Sequence, residues 1–124
     1  MNFILSRIYE PPRVQYNIED LGENVFKISG KLFKRVDGEF ISSRQKTICY
    51  SVFSQKRKKK TKKTCLIYCT GNRGDRRSCL YLRPFILPNG VDIAAFDYNG
   101  LGHSEKDYIS YGIHEKRDLR IFVS

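Results

Sequence analysis

The sequence predicts an α/β chain: an antiparallel β lead-in followed by a βαβ unit, in a sheet that is incomplete. Three observations predict it. Two apolar runs, Leu66–Cys69 and Val91–Phe96, are each followed by a glycine turn, Gly71–Gly74 and Gly100–Gly102. A helix-like segment lies between the two. Upstream, Thr47, Cys49, Ser51 and Phe53 alternate with Ile48, Tyr50 and Val52, the period-two pattern of a strand with one face buried. Strand, turn, helix, strand and turn would set both glycine turns at the carboxyl ends of neighbouring parallel strands, where open α/β sheets hold their ligands.

A chain of 124 residues is a single domain at most. It divides into an extended lead-in over 1–23, antiparallel strands over 24–55, a basic loop over 56–63, and the βαβ unit with the start of a further helix over 64–124. Pro11–Pro12 excludes regular helix in the lead-in, because proline lacks the amide donor and restricts the residue before it. Asn17–Leu21 predicts one helical turn ending near Gly22. Val25, Phe26 and Ile28 form a short strand that stops at Gly30. Leu32–Val36 predicts a second strand, ending at an Asp37–Gly38 turn. Phe40–Ile41 and Thr47–Phe53 predict two more strands around residues 42–46.

In the second half, Leu66–Cys69 reads as a buried strand. Asp75–Leu87 reads as a helix that breaks near Arg83, since Pro84 removes a hydrogen bond and clashes with the preceding turn. Val91–Phe96 is a second buried strand. Ile113–Ser124 begins another helix, with Leu119, Phe122 and Val123 on one apolar face. The sequence stops inside that helix without a cap, which predicts the N-terminal part of a longer fold. An incomplete parallel sheet predicts an unpaired apolar edge on the Leu66–Cys69 side, and a chain that is marginally stable or aggregation-prone.

Hydrophobic content of 40% argues against global disorder. Seven of the +10 net charges lie in Lys56–Lys63, so the rest of the chain carries only +3. Basicity is local, and a general nucleic-acid surface is not indicated. Like charges at that density repel one another, so this stretch reads as a solvated surface loop. A polyanion-binding or nuclear-localisation segment is the alternative. Cys49, Cys65, Cys69 and Cys79 fit neither a disulfide framework nor a zinc site, and read as reduced, buried thiols of a cytoplasmic protein. No signal peptide, membrane span, metal or cofactor is expected.

The turn Gly71-Asn72-Arg73-Gly74 stands between strand and helix, where backbone amides suit an anion. A phosphate is one candidate. Cys69–Gly74 matches the last two glycines of G-x-G-x-x-G with cysteine at the first, and Asp97 stands where a ribose-binding acid would. No Walker-type lysine follows. The other candidate is the oxyanion of a tetrahedral acyl intermediate.

For the oxyanion, three stretches carry a resemblance. Cys65-Leu-Ile-Tyr-Cys-Thr-Gly-Asn-Arg-Gly74 resembles the strand and His-Gly-Asn-x-Gly oxyanion turn of the α/β-hydrolases, serine hydrolases that include serine aminopeptidase-like and acyl-ester enzymes. Phe96-Asp-Tyr-Asn-Gly-Leu-Gly-His-Ser104 is similar to that family's Asp-x-x-Gly-x-Gly-x-Ser turn. Tyr111-Gly-Ile-His-Glu-Lys-Arg-Asp-Leu119 resembles the segment leading into the next helix. The resemblance implies an N-terminal portion of that fold, cleavage of a small-molecule ester or peptide, the Asn72 amide as an oxyanion donor, Gly71 permitting the turn, and Gly74, Asp97, Gly100 and Gly102 shaping the loops. Thr70 stands where the family has histidine. No G-x-S-x-G is present, so nucleophile, acid and base are expected beyond Ser124 and the chain alone should be inactive. His103 and His114 read as surface or helix-cap residues, and Ser104 and Ser110 lack elbow glycines. The rival readings are a dinucleotide-binding Rossmann-like fragment and a polyanion-binding module using Lys56–Lys63.

Overall fold

The computed structural model describes residues 15–56, 64–71, 74–107, 110 and 112–124. The expectations placed on Pro11–Pro12, on the lysine run after Lys56, and on Asn72, Arg73 and Tyr111 lie outside them.

Five strands form one mixed sheet: β1 (Val25–Ile28), β2 (Lys31–Ile41), β3 (Thr47–Gln55), β4 (Thr64–Tyr68) and β5 (Val91–Phe96). Their spatial order is β1-β2-β3-β5-β4. β1, β2, β3 and β5 pair antiparallel in turn, and β4 pairs parallel with β5. β5 therefore slots between two strands made before it. The crossover from β4 to β5 and the helix Ile113–Val123 cover opposite faces of the sheet. On the crossover side Phe33, Phe53, Leu87, Ile93 and Ala95 form the core. On the other side Ile48, Phe96 and Tyr98 pack with Phe40, Leu119 and Phe122. β3 thus has both faces packed, where the alternation predicted one, because each of its two residue sets meets a different covering layer.

The predicted Asp37–Gly38 turn does not exist; β2 runs straight through it. Gly38 lies opposite Tyr50, and a Cβ on it would come 2.5 Å from the Tyr50 ring. The glycine makes room for a cross-strand aromatic rather than a bend. Asp37 accepts from Arg35 Nε at 3.0 Å and from Ser51 Oγ at 2.5 Å, which explains a carboxylate within a strand. The reversal comes later, where the Ser42 amide donates to the Lys46 carbonyl. The 32–36 and 40–41 runs are therefore one strand.

β4 is not buried as its composition predicted. Cys65 and Cys69 are exposed and Leu66, Ile67 and Tyr68 half-buried, because β4 is the last strand of the sheet and pairs on one side only. Of the four cysteines, all free, only Cys79 is buried. The crossover helix has the predicted extent but not the predicted form. Arg76–Leu82 is a 3-10 helix, Arg83–Ile86 a turn of α-helix, and Leu87–Asn89 3-10 again, with Gly90 at φ 79° closing it. Pro84 falls in the first turn of the α segment, where its missing N–H costs least. On the C-terminal helix Val123 is 54% exposed and stands off the packed face, which is made by Glu115, Asp118, Leu119 and Phe122.

No described helix is long and apolar enough to cross a membrane.

Candidate functional site

The parallel pair β4 and β5 brings its two following loops to one edge of the sheet. After β4, Thr70 is buried, and the turn 71–74 is closed by the Gly74 amide donating to the Gly71 carbonyl at 3.0 Å. Gly71 is exposed, and a Cβ there would meet nothing within 4 Å. Neither Gly71 nor Gly74 lies in the left-handed region. The buried Thr70 hydroxyl has no hydrogen-bond partner among the described residues. Asn72, whose amide the resemblance assigns to the oxyanion, lies outside the described residues.

After β5 the chain enters Asp97, a buried carboxylate with four donors around it. Asp97 is 0% exposed and Arg76 only 1%. The Arg76 amide donates to Asp97 Oδ1 at 2.7 Å. Tyr16 Oη and the His103 amide donate to Oδ2 at 2.5 and 2.9 Å. Arg76 Nε lies 3.2 Å from the same oxygen. The guanidinium continues outward: Nε donates to Tyr16 Oη at 3.1 Å and Nη1 to Ser51 Oγ at 3.0 Å. Each charge is thus paired and hydrogen-bonded, the condition for burying it.

His103 belongs to this network and is not the surface or cap residue the sequence suggested. Its ring stacks on Tyr16 with centroids 3.9 Å apart. Nδ1 lies 2.9 Å from Arg76 Nη2, and Nε2 lies 2.7 Å from the Tyr16 carbonyl. A guanidinium cannot accept a hydrogen bond and a carbonyl cannot donate one. Nδ1 is therefore the acceptor and Nε2 carries the proton. His114, in the first turn of the C-terminal helix, is half-buried; its backbone amide donates to Ser110 Oγ at 2.8 Å, so the serine hydroxyl serves the helix start there and not the histidine side chain. Ser104 is buried, donating to the Asp97 carbonyl and accepting from the Cys49 amide at 2.9 Å, so its hydroxyl is committed to structure.

Electrostatics follow from this packing. Burial, then the hydrogen bond and charge of Asp97, push the Tyr16 phenol far above its ordinary range despite Arg76. Burial alone would weaken the Arg76 proton, but Asp97 and Tyr16 outweigh it and hold the guanidinium charged. Tyr98, beside Cys69, is also raised, by burial and then by the thiol it bonds.

Two glycines are sterically required in the second loop. Gly102 has φ +51°, and a Cβ there would sit 2.3 Å from the Asp97 carboxyl. Gly100 has φ +91°, and its Cβ would sit 2.3 Å from the Asp107 carbonyl oxygen. Both allow the loop to fold back over the carboxylate.

This arrangement bears on the chemistry. Asp97 has no oxygen open to a ribose, and the start of the crossover helix is already occupied by the Asp75 carboxylate, which accepts from the Arg77 amide at 3.0 Å. The dinucleotide reading loses its ribose contact. No group of three or more metal-ligating side chains occurs among the described residues. Lys56, exposed, donates its amide to Leu32; the rest of the lysine run is not described. At this edge Gly71 is exposed and Gly74 half-buried. Sequence reasoning marked Asp97 and the glycines but missed Tyr16, Ser51 and Arg76. Their partners stand as far as 81 residues away, and no local pattern signals such a cluster.

No family model matches the chain, and no curated protein matches it. Among solved structures the fold is shared with a hydrolase. That structure is an esterase of Pyrococcus furiosus, matched with a TM-score of 0.64 at 23% identity over 94% of this chain. The chain spans 40% of the length of that esterase.

Proposed function

We propose that this chain is the N-terminal portion of a serine hydrolase of the α/β-hydrolase fold, which cleaves a small-molecule ester or a peptide through an acyl-serine intermediate. The observation that supports the reading is the parallel pairing of β4 and β5, which sends the chain after each strand out at the same, carboxyl edge, in a fold shared with part of an esterase. In this reading the Asn72 amide donates to the oxyanion. Gly71, with no side chain, leaves the approach to that amide open, and Gly74 closes the turn. Asp97, held by Arg76, Tyr16 and His103, fixes the second loop against the first; Gly100 and Gly102 let that loop close. Asp97 acts as a structural anchor here and not as the catalytic acid, since every donor around it is committed. Nucleophile, acid and base come from sequence beyond Ser124, so the 124-residue chain is silent.

The test has two arms. A serine-directed fluorophosphonate should leave the 124-residue chain unlabelled. Sequencing of the transcript past codon 124 should reveal an open frame with a strand and G-x-S-x-G, and the longer product should be labelled at that serine. Gly71→Val in the longer product should slow acylation while leaving the fold intact, because the added side chain enters open space. A transcript that ends at codon 124, or labelling of one serine within the short chain, overturns the proposal.

A further inference from the structure

His103 ties the lead-in at Tyr16 to the loop that follows β5. Its ring stacks on Tyr16, and Nε2–H donates to the Tyr16 carbonyl at 2.7 Å. On the other side Nδ1 accepts from Arg76 Nη2 at 2.9 Å. The loop itself is folded by its own amides: Gly100 donates to Glu105, Leu101 to Tyr98, Ser104 to Leu101, and His103 to Asp97 Oδ2.

An acceptor at Nδ1 exists only in the neutral imidazole; with a proton on each nitrogen both are donors. A proton added at Nδ1 sets N–H against N–H and places a second cation 2.9 Å from the guanidinium. The guanidinium has no room to turn away, since Nη1 donates to Ser51 Oγ, Nε donates to Tyr16 Oη, and Nε lies 3.2 Å from Asp97. Neither nearby carboxylate is free to receive the new N–H. Asp97 already accepts from Tyr16 and from the Arg76 and His103 amides, and Asp75 is held by Arg77 through Nε and Nη2. The other cations and weak acids around the ring, among the described residues, keep their protons near neutrality. Burial raises the Tyr16 phenol and, on β3, the Cys49 thiol that bonds the His103 carbonyl. Asp97 keeps Arg76 charged against burial, and the hydrogen bond to Asp75 keeps Arg77 charged. Imidazole is the side chain that exchanges its proton near neutral pH. We propose that His103 is an acid-sensitive latch: a proton taken from solvent at Nδ1 breaks the bond to Arg76 and frees the 97–104 loop from the lead-in. The loop is closed at neutral and alkaline pH and opens in mild acid. The open state binds one proton more than the closed one, so the opening constant rises as pH falls, by at most about tenfold per pH unit.

The latch needs no exposed surface, and it does not rest on the hydrolase reading, since no residue of the 71–74 turn takes part. The test uses the 124-residue chain. Hydrogen exchange of the Leu101, His103 and Ser104 amides is followed by NMR from about pH 8 to about pH 5.5 and corrected for the intrinsic rate. The corrected exchange should quicken as pH falls, toward about tenfold per pH unit, while the amides of the β2–β3 ladder stay as they were. Nitrogen NMR of the labelled imidazole should show a bare Nδ1 and a protonated Nε2 while the loop is closed, and both protonated once it opens. The chain has two histidines, so His114→Gln assigns the signals. His103→Asn sets an amide oxygen near the place of Nδ1, where it still accepts from Arg76 but takes no proton, and should leave the loop closed across the range. Loop exchange that stays flat with pH in the wild type overturns the proposal. So does a loop that stays closed after Nδ1 has taken its proton, or a His103→Asn loop that opens in acid as the wild type does. The two wild-type measurements decide the matter whether or not that variant folds.

Discussion

Replacing Arg76 by methionine strands a charge. The wild-type guanidinium lies 3.2 Å from Asp97 and donates to Tyr16 and Ser51, all within a region closed to water. Breaking a buried pair from one side costs about 3–5 kcal/mol, because the surviving ion keeps its desolvation penalty. Asp97 would retain three donors: the backbone amide of residue 76, Tyr16 Oη and the His103 amide. The expected loss is therefore at the lower end, about 3 kcal/mol. With a urea m-value of about 1–3 kcal/mol per M, the midpoint should fall by at least about 1 M. The assay is equilibrium urea unfolding followed by circular dichroism. Adding Asp97→Asn to Arg76→Met should recover part of the loss, since the stranded charge is gone. An unchanged midpoint for Arg76→Met, or a double variant weaker by the full sum of the two single losses, would refute the reasoning.

Three further outcomes are expected. Gly102→Ala forces a Cβ to within 2.3 Å of the Asp97 carboxyl at φ +51° and should cost about 1–3 kcal/mol by the same unfolding assay. Burial by itself would raise the Glu115 carboxyl, but the Ser110 hydroxyl and amide, its own backbone amide and Arg44 together hold it below its ordinary value. A depressed carboxyl stabilises the fold above its unfolded pKa of about 4.3 and loses that contribution as pH falls through the folded value. Ser110→Ala should therefore shrink the stability lost between neutral and acid pH, as read from urea midpoints across that range. Burial pushes the Cys79 thiol up to about 11. Near pH 8 its alkylation should track global unfolding while Cys65 and Cys69 react at once, and mass spectrometry of timed samples separates the three.

The sheet was largely legible where one short-range pattern decided the outcome. The 25–28, 47–53 and 91–96 strands follow from apolar runs ended by glycine or by a reversal, and the helix from Ile113 from its spacing. Asp37–Gly38 misled because the same dipeptide that makes a turn also suits a strand facing a tyrosine, and only the cross-strand partner tells the two apart. β4 and β5 have similar composition yet differ in burial, since burial depends on position in the sheet order, which no single strand encodes. At the candidate site Gly100 and Gly102 were visible because their requirement is local, within one loop. The Tyr16, Ser51, Arg76, Asp97 and His103 cluster was not, because it is assembled from the lead-in, β3, the crossover and both ends of one loop. Histidine and serine side chains there look like ordinary turn residues until their partners are in place.

The position of β5 between β3 and β4 also sets a timetable. On the ribosome β1, β2 and β3 can zip as a meander as soon as they emerge. β4 cannot, because its one neighbour is separated from it by residues 69–90. At a synthesis rate of about 5–20 residues per second, Thr64–Tyr68 waits some seconds as an exposed apolar segment capable of pairing with other nascent chains. The lysines that precede Thr64 in the sequence give that segment a dense positive flank during the wait, and like charge keeps two such segments apart. In this view the basic stretch guards a late-pairing strand during folding, a role that requires no partner at all.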